Sequence, residues 1–456
     1  MANFTRNNAW NNGGTFDNPD LLWYAKGVGV MQSRTLDDPN SWWFFAAIHG
    51  EYITGETTFP GWGFIPAPPS VPTTPLPSQN LINLCWDQCQ HQSWYFPPWH
   101  RGYLLALEAQ IRAALVSLGG PANWSVPYWN YFGPSNEHEI PPAFTQQTLP
   151  DGTTPNPLFV TARYGPNDDG NIFIPIPPVS QACEGNDLFT GSDGATPSPG
   201  FGGPQTGFSH FGRASGNLES NPHNQVHGDV GGFVNNQEYG LMGDPGIAAL
   251  DPVFYLHHSN IDRMWAAWNA NGNSNPTDPN WLNGPAAVGD REFVMPFPGG
   301  NLWVYTPAMM NSLGELDYTY DNLSAAVSPR PSNRLARRLT KLGATPAAAK
   351  VAPGAVMDSG DKAELVGANA GPLQIKSSGA RATVKLDSDV RGKVSASLAE
   401  ASEAKLPDHV YLQLENVRGT LDPFKLDVSV NQQRAGSVAL FGLRRATLKD
   451  GAHGGE

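Results

Sequence analysis

Six of the 11 histidines in this 456-residue chain occupy positions from which imidazoles could share metal ions. His223 and His227 are four apart, which puts both rings on one face of a helix. His91 and His100 bracket a Trp-Tyr-Phe-Pro-Pro-Trp stretch, His49 ends an aromatic run, and the His257-His258 pair opens a helix face that continues through Asp262. Any one of these is more commonly a cap or a packed core residue than a ligand. Two sets of three, each beside Trp, Phe and Pro, are hard to explain as packing. All-imidazole sets suit copper, zinc, iron or nickel. The His-Glu-x-x-His arrangement of a hydrolytic zinc site is excluded, because Asn224 follows His223 and no carboxylate lies between the two histidines. Two three-histidine sets without carboxylates favour a copper pair, with room for O2 between the metals.

The elements that must carry these rings have readable starts. Asn18-Pro19, Asp38-Pro39, Asn221-Pro222 and Asp251-Pro252 each pair a capping side chain with a proline at the first helical position, and each precedes an apolar run. Gly50 and Gly228 are read as following helix C-termini. A further helix follows Pro97-Pro98, with Leu104, Leu107, Ile111 and Leu115 at helical spacing. Residues 58–80 and 140–215 read as long Pro- and Gly-rich loops. The expected fold is mainly α, a helical-bundle catalytic domain with long loops plus a smaller C-terminal β domain. All 14 Trp lie at or before position 303, which places a boundary beyond it. The division is a catalytic domain over 1–325, a linker over 326–370 and a β-rich domain over 371–456. The linker holds a short basic helix at Asn333 to Leu342 and a candidate cleavage region at 343–356. The tail has strand-like alternation at Val410–Leu414 and Leu426–Val430.

The formal charge of −13 argues against nucleic acid and anionic membranes and fits a small neutral or cationic ligand. No apolar run is long enough for a membrane helix, and the first residues do not form a signal peptide, so the cytoplasm is favoured. Three cysteines, Cys85, Cys89 and Cys183, are too few for a disulfide scaffold; a Cys85–Cys183 bridge is left open.

The run His91-Gln-Ser-Trp-Tyr-Phe-Pro-Pro-Trp-His100-Arg101, then His223-Asn-Gln-Val-His227, then Asp251-Pro-Val-Phe-Tyr-Leu-His-His258-Ser-Asn-Ile-Asp262-Arg resembles the tyrosinase, catechol oxidase and molluscan-type haemocyanin superfamily. The resemblance covers roughly residues 1–322, through Tyr318-Thr319-Tyr320, and the β tail is similar to the family's C-terminal domain. It implies two copper ions, one on His49, His91 and His100 and the other on His223, His227 and His258, with His257 a neighbour. It implies a Cys89–His91 thioether, the alternative being a buried free thiol. It implies that Phe96 and Phe254 pack on the copper site, though core packing explains them nearly as well. Asp262 and Arg263 would then be a pair that orients a ligand ring.

The implied reaction uses O2 to hydroxylate small monophenols to o-diphenols and to oxidise o-diphenols to o-quinones. Glu219 and Asn224 match the positions that hold a water to take the phenol proton; a helix N-terminal charge is the plainer reading of Glu219. Gly228 leaves space above the second copper, and Pro245 and Gly246 stand where relatives often have a bulky gate, so the expectation leans to tyrosinase. The C-terminal domain is expected to act as a lid that places an apolar side chain over the copper pocket, with no residue assigned. Relatives continue past a turn like Gly451–Glu456 into one more strand, so the lid is expected to be truncated or incomplete. The alternatives are a catechol oxidase without monophenolase activity, a haemocyanin-like O2 carrier, or an o-aminophenol oxidase.

Overall fold

The computed structural model describes residues 3–191, 199–209, 214–234, 238–324, 365–376, 379–400, 412, 414, 417–419 and 425–447. They fall into two units, one of Met1–Gly191, Ser198–Val327 and Val417–Glu456, the other of Ser192–Pro197 and Ser328–Asn416. The expected basic helix at 333–342, the cleavage region at 343–356, most of the strand at 410–414 and the final turn lie outside the described residues.

The first unit is built on helices α1 (Pro19–Gln32), α2 (Trp42–His49), α3 (Gln79–Cys85), α4 (Phe96–Ser117), α5 (Asn224–Gly231), α6 (Val253–Ala270) and α7 (Pro279–Asn283). Between them run short strands β1 (Phe4–Arg6), β2 (Phe233–Val234), β3 (Glu238–Tyr239), β4 (Phe293–Phe297), β5 (Asn301–Tyr305) and β6 (Tyr318–Tyr320). The second unit holds β7 (Gly367–Ala368) paired antiparallel with β8 (Lys385–Leu386), then α8 (Ser388–Glu400). The described residues end, again in the first unit, with the antiparallel hairpin β9 (Lys425–Val430) and β10 (Gln433–Ala439) and the short helix α9 (Leu443–Thr447). The predicted strand Leu426–Val430 lies within β9. Among the described residues no helix is long and apolar enough to cross a membrane.

Helices α1, α4 and α6 pack in series, with α2 inserted beside them. All eight residues of α2 are buried, as expected of a helix apolar all round. Gly27 lets α1 approach α4, since a β-carbon there would lie 2.8 Å from Ile111 Cγ2. The bundle is locked by a buried polar network. Arg6 on β1 meets Glu108 on α4 and Asp262 on α6, each at 2.9 Å, and Arg101 meets Asp262 at 2.6 Å. β1 pairs parallel with β6, which brings Tyr318 and Tyr320 to donate to the same Asp262 carboxylate. Burial raises the Asp262 pKa, but Arg101 and Arg6 outweigh it and hold the carboxyl below its usual value.

The helix starts partly differ from the sequence pattern. Asn18 caps α1 through Asp20 N–H, and Asp251 accepts from Val253 N–H at the start of α6. α2 begins later than its Asp38-Pro39 signal, because Ser41 accepts from Phe44 N–H, while Asp38 closes a local turn with Asn40. Asn221 is not a cap: its oxygen accepts from Ser180 N–H, and Pro222 sits inside a wide turn over Glu219–His223 that runs directly into α5. Gly228 lies within α5, which ends instead at Gly232, in left-handed backbone with φ 62°.

Candidate metal centre

His49 is the last residue of α2, His100 sits in the first turns of α4, and His91 lies in the irregular loop between α3 and α4. Their rings converge, with centroids 5.4 Å apart for His49 and His91, 5.5 Å for His91 and His100 and 5.7 Å for His49 and His100. The second group comes from the Glu219–His223 turn and the two helices α5 and α6. His223, just before α5, and His227 within it are 4.5 Å apart, and His258 on α6 lies 4.8 Å from His223. The two groups meet where His100 and His258 stack at 4.4 Å. Ring nitrogens of His223, His227, His257 and His258 lie within 4.8 Å of one another, and so do those of His49, His100 and His258. His257 therefore reaches this cluster, with Nδ1 3.4 Å from the Tyr131 hydroxyl.

Four rings are aimed by the same device. Nδ1–H donates to the carbonyl of Pro245 from His49 at 3.0 Å, of Phe96 from His100 at 2.8 Å and of Met242 from His227 at 2.8 Å. His223 Nδ1–H donates instead to the Asn224 side-chain oxygen at 2.8 Å. An oxygen acceptor fixes the tautomer and leaves Nε2 with its lone pair for a metal. Nε2 of His100 and of His223 is buried with no hydrogen-bond partner, and Nε2 of His227 lies only 3.3 Å from that of His258. Burial, then mutual repulsion, holds His100, His223, His227 and His258 well below the usual imidazole range. Neutral, converging, dry imidazoles are a donor set that suits copper, so these residues fit two copper ions.

The residues around the rings have mixed outcomes. Phe254 stacks on His258 at 4.0 Å and stands edge-on to His49 at 4.8 Å; Phe96 contacts His100 and His223 at 4.6 and 4.7 Å. Cys89 Sγ lies 3.3 Å from His91 Nδ1, and none of the three cysteines is in a disulfide. Asp262 does not orient a ligand ring, since both its oxygens are taken by Arg6, Arg101 and the two tyrosines; Arg263 bonds Asn260 instead. Pro245 acts through its backbone carbonyl on His49, and Gly246 is where the Tyr52 ring packs, a β-carbon there falling 2.5 Å from Tyr52 Cζ. Gly228 follows His227 inside α5.

Glu219 is 1% exposed, and both its oxygens accept from the Gln92 N–H at 2.9 Å. Burial pushes its pKa up to about 8, against the opposing pull of bonds from Gln92, Ser215 and Gly216.

One residue was not foreseen. Phe441, between β10 and α9, stacks on His227 with centroids 4.3 Å apart and planes 29° apart, and stands 5.9 and 6.0 Å from His91 and His223. The segment carrying it is tied down by Lys425 on Asp229 at 3.3 Å, Gln225 on the Ser437 carbonyl at 3.3 Å and Arg444 on Glu56 at 3.6 Å. The available signal was an aromatic residue closing an alternating strand just before a basic pair, which does not single out a position.

Comparison with known proteins agrees with this geometry. Residues 39–271 match the common central domain of tyrosinase, and residues 362–456 match a domain of unknown function, DUF7868. A tyrosinase from Hahella sp. (strain CCB-MM4) is 36% identical over 345 residues, 73% of this chain and 67% of that protein. A latent chloroplastic polyphenol oxidase of Prunus armeniaca and an aureusidin synthase of Antirrhinum majus are each 28% identical; the chain spans 50% and 54% of their lengths. Among solved structures, latent apple tyrosinase aligns with a TM-score of 0.48 at 23% identity, covering 70% of this chain and 62% of that one. With half of its length matched by the central domain and six histidines converging there, the chain belongs to the tyrosinase family of type-3 dicopper oxidases.

Proposed function

We propose that this chain is a tyrosinase kept latent by its own C-terminal segment. It hydroxylates small monophenols to o-diphenols and oxidises o-diphenols to o-quinones. His49, His91 and His100 hold one copper, and His223, His227 and His258 the other. When bound, the copper pair supplies O2 reduction and the exchange of oxygen and electrons with the phenol ring. The observation that carries the reading is the convergence of neutral imidazoles whose Nδ1–H groups are tied back to oxygens.

The protein's own part is to bind, dry and deprotonate. Phe254 and Phe96 wall the rings from water. The Phe441 ring on His227 marks where a phenol ring lies, and it must leave before one can enter. A monophenol has a pKa near 10 and must lose its proton to react. Glu219 is the group suited to receive it, directly or through a water. Asn224 spends its oxygen on His223, so it positions the ligand ring. With Glu219 pushed up to about 8, only a minority is ionised at pH 7, which favours diphenol oxidation there and monophenol hydroxylation at higher pH.

The test uses the full copper-loaded chain and its Phe441→Ala variant with L-tyrosine and L-DOPA. If the open form is about a tenth of the population, removing the ring raises diphenol turnover at low substrate by about tenfold. A copper-loaded variant that oxidises neither compound overturns the oxidase reading, and reversible O2 uptake without quinone puts the carrier in its place.

A further inference from the structure

The two adjacent histidines of α6 are held differently, and the difference runs against their expected roles. His257 Nδ1 faces the Tyr131 hydroxyl at 3.4 Å, a longer version of the oxygen ties on His49, His100, His223 and His227. Its Nε2 is buried without a hydrogen-bond partner among the described residues, as are those of His100 and His223. His258 is the reverse. Its Nδ1 is buried with no such partner, and its Nε2 lies 3.3 Å from His227 Nε2. A ring tied to oxygen at Nδ1 offers Nε2 to a metal. His257 meets that condition, and His258 does not.

Position agrees with this. The His257 ring stacks on His223 with centroids 5.3 Å apart and planes 22° apart, and stands edge-on to His227 at 5.0 Å. One ring nitrogen from each of His223, His227, His257 and His258 falls within 4.8 Å of the others. His258 also belongs to a second such set, with His49 and His100, and stacks on His100 at 4.4 Å. His258 is therefore shared between the two groups, and His257 stands with the second. Burial keeps the His257 ring neutral, against the opposing pull of the His223 backbone.

We propose that His257 is a seventh copper-binding imidazole. With His223 and His227 it completes a three-nitrogen set for the second ion when His258 turns to the first group. The proposal rests on reading the centre as a copper site. The two alternative sets share His223 and His227, so the third place can change between His257 and His258 while two rings stay bound. Both candidates are neutral imidazoles, so the exchange alters neither the charge nor the donor type that suits copper. His257 thus serves to capture and retain the second ion, and His258 to join it to the first.

The experiment loads the full chain with Cu(II) alone, challenges it with a chelator, and measures the copper retained per chain by atomic emission. His258→Phe keeps a ring against His100 and Phe254 but removes both nitrogens, and His257→Phe does the same beside His223. Melting of the metal-free chains shows which variants fold, and leucine replaces phenylalanine in any that does not. The native chain is expected to retain two ions. His258→Phe should also retain two, losing one of them severalfold faster than the native chain does. Adding His257→Phe to it should leave a single ion. A His258→Phe chain that holds one ion overturns the proposal, as does a second ion indifferent to His257→Phe, and His257 is then a ring packed on His223. A native chain that retains no copper overturns the copper reading itself, and the proposal with it.

Discussion

The two halves of the proposed metal centre are held in different ways. His227 and His258 are carried by α5 and α6, and His223 ends the wide turn that runs into α5. His49, His91 and His100 arrive from a helix end, a loop and a helix start. The loop half depends on distant contacts. His91 N–H donates to the Ser209 carbonyl at 2.9 Å, and Asp87 and Gln92 on either side adopt left-handed backbone, with φ 52° each. Glu219 ties the halves together, since it stands at the entry to α5 and accepts from Gln92 next to His91. Helical geometry sets the second half, and side chains from elsewhere set the first.

Glu219→Gln gives the largest expected effect, because it separates a tie from a base. A glutamine still accepts from Gln92, so as a mere tie it would leave both activities nearly intact or lower them together. As a base, its loss should cost monophenol kcat/KM about 100-fold while diphenol turnover changes only severalfold. The sign of the pH effect follows from the raised pKa. The carboxylate form grows as pH rises through about 8, so the monophenol-to-diphenol ratio should climb from pH 6 to 9 in the native chain and stay flat in the variant. Stability moves oppositely. A carboxyl raised on folding stabilises fully below its unfolded pKa, and that contribution is lost as pH rises through about 8. Denaturant midpoints across that window should fall in the native chain and flatten in the variant.

Asn224→Ala tests the helical half and ranks next. It removes the only side-chain oxygen among the four acceptors that aim the rings. Loss of such a partner costs about 10- to 100-fold in metal affinity. Copper retention against a chelator should therefore drop for one of the two ions. Equal loss of both would mean that the halves bind as one unit through the His100–His258 stack.

The two histidine groups that converge were legible in the sequence for different reasons. The spacing of His223 and His227 follows from helix periodicity alone. His91 has no periodic signal and needed the longer motif through His100 and Arg101. The Asp262 network was misread, because Arg6 and Tyr318 come together with it only through the pairing of β1 and β6, which bridges more than 300 residues. Phe441 was invisible for a similar reason: nothing local tells a ring that ends a strand that it will stack on His227.

Cys89→Ser is the smallest expected effect and sharpens the contrast from the loop side. Cys89 Sγ stands 3.3 Å from the His91 ring, where a thioether to a ring carbon would replace regular secondary structure as the restraint on that histidine. Forming it removes the thiol hydrogen and one ring hydrogen, with O2 accepting the two electrons. Copper-loaded, aerated protein should then yield a cross-linked Cys89–His91 peptide lighter by two hydrogens, absent from the serine variant. The variant should lose copper from the loop half severalfold faster and leave the helical half unaffected. No mass change, with unchanged copper retention, would mean that Ser209 and the left-handed turns at Asp87 and Gln92 already hold His91 in place, and that the loop half is as preformed as the helical one.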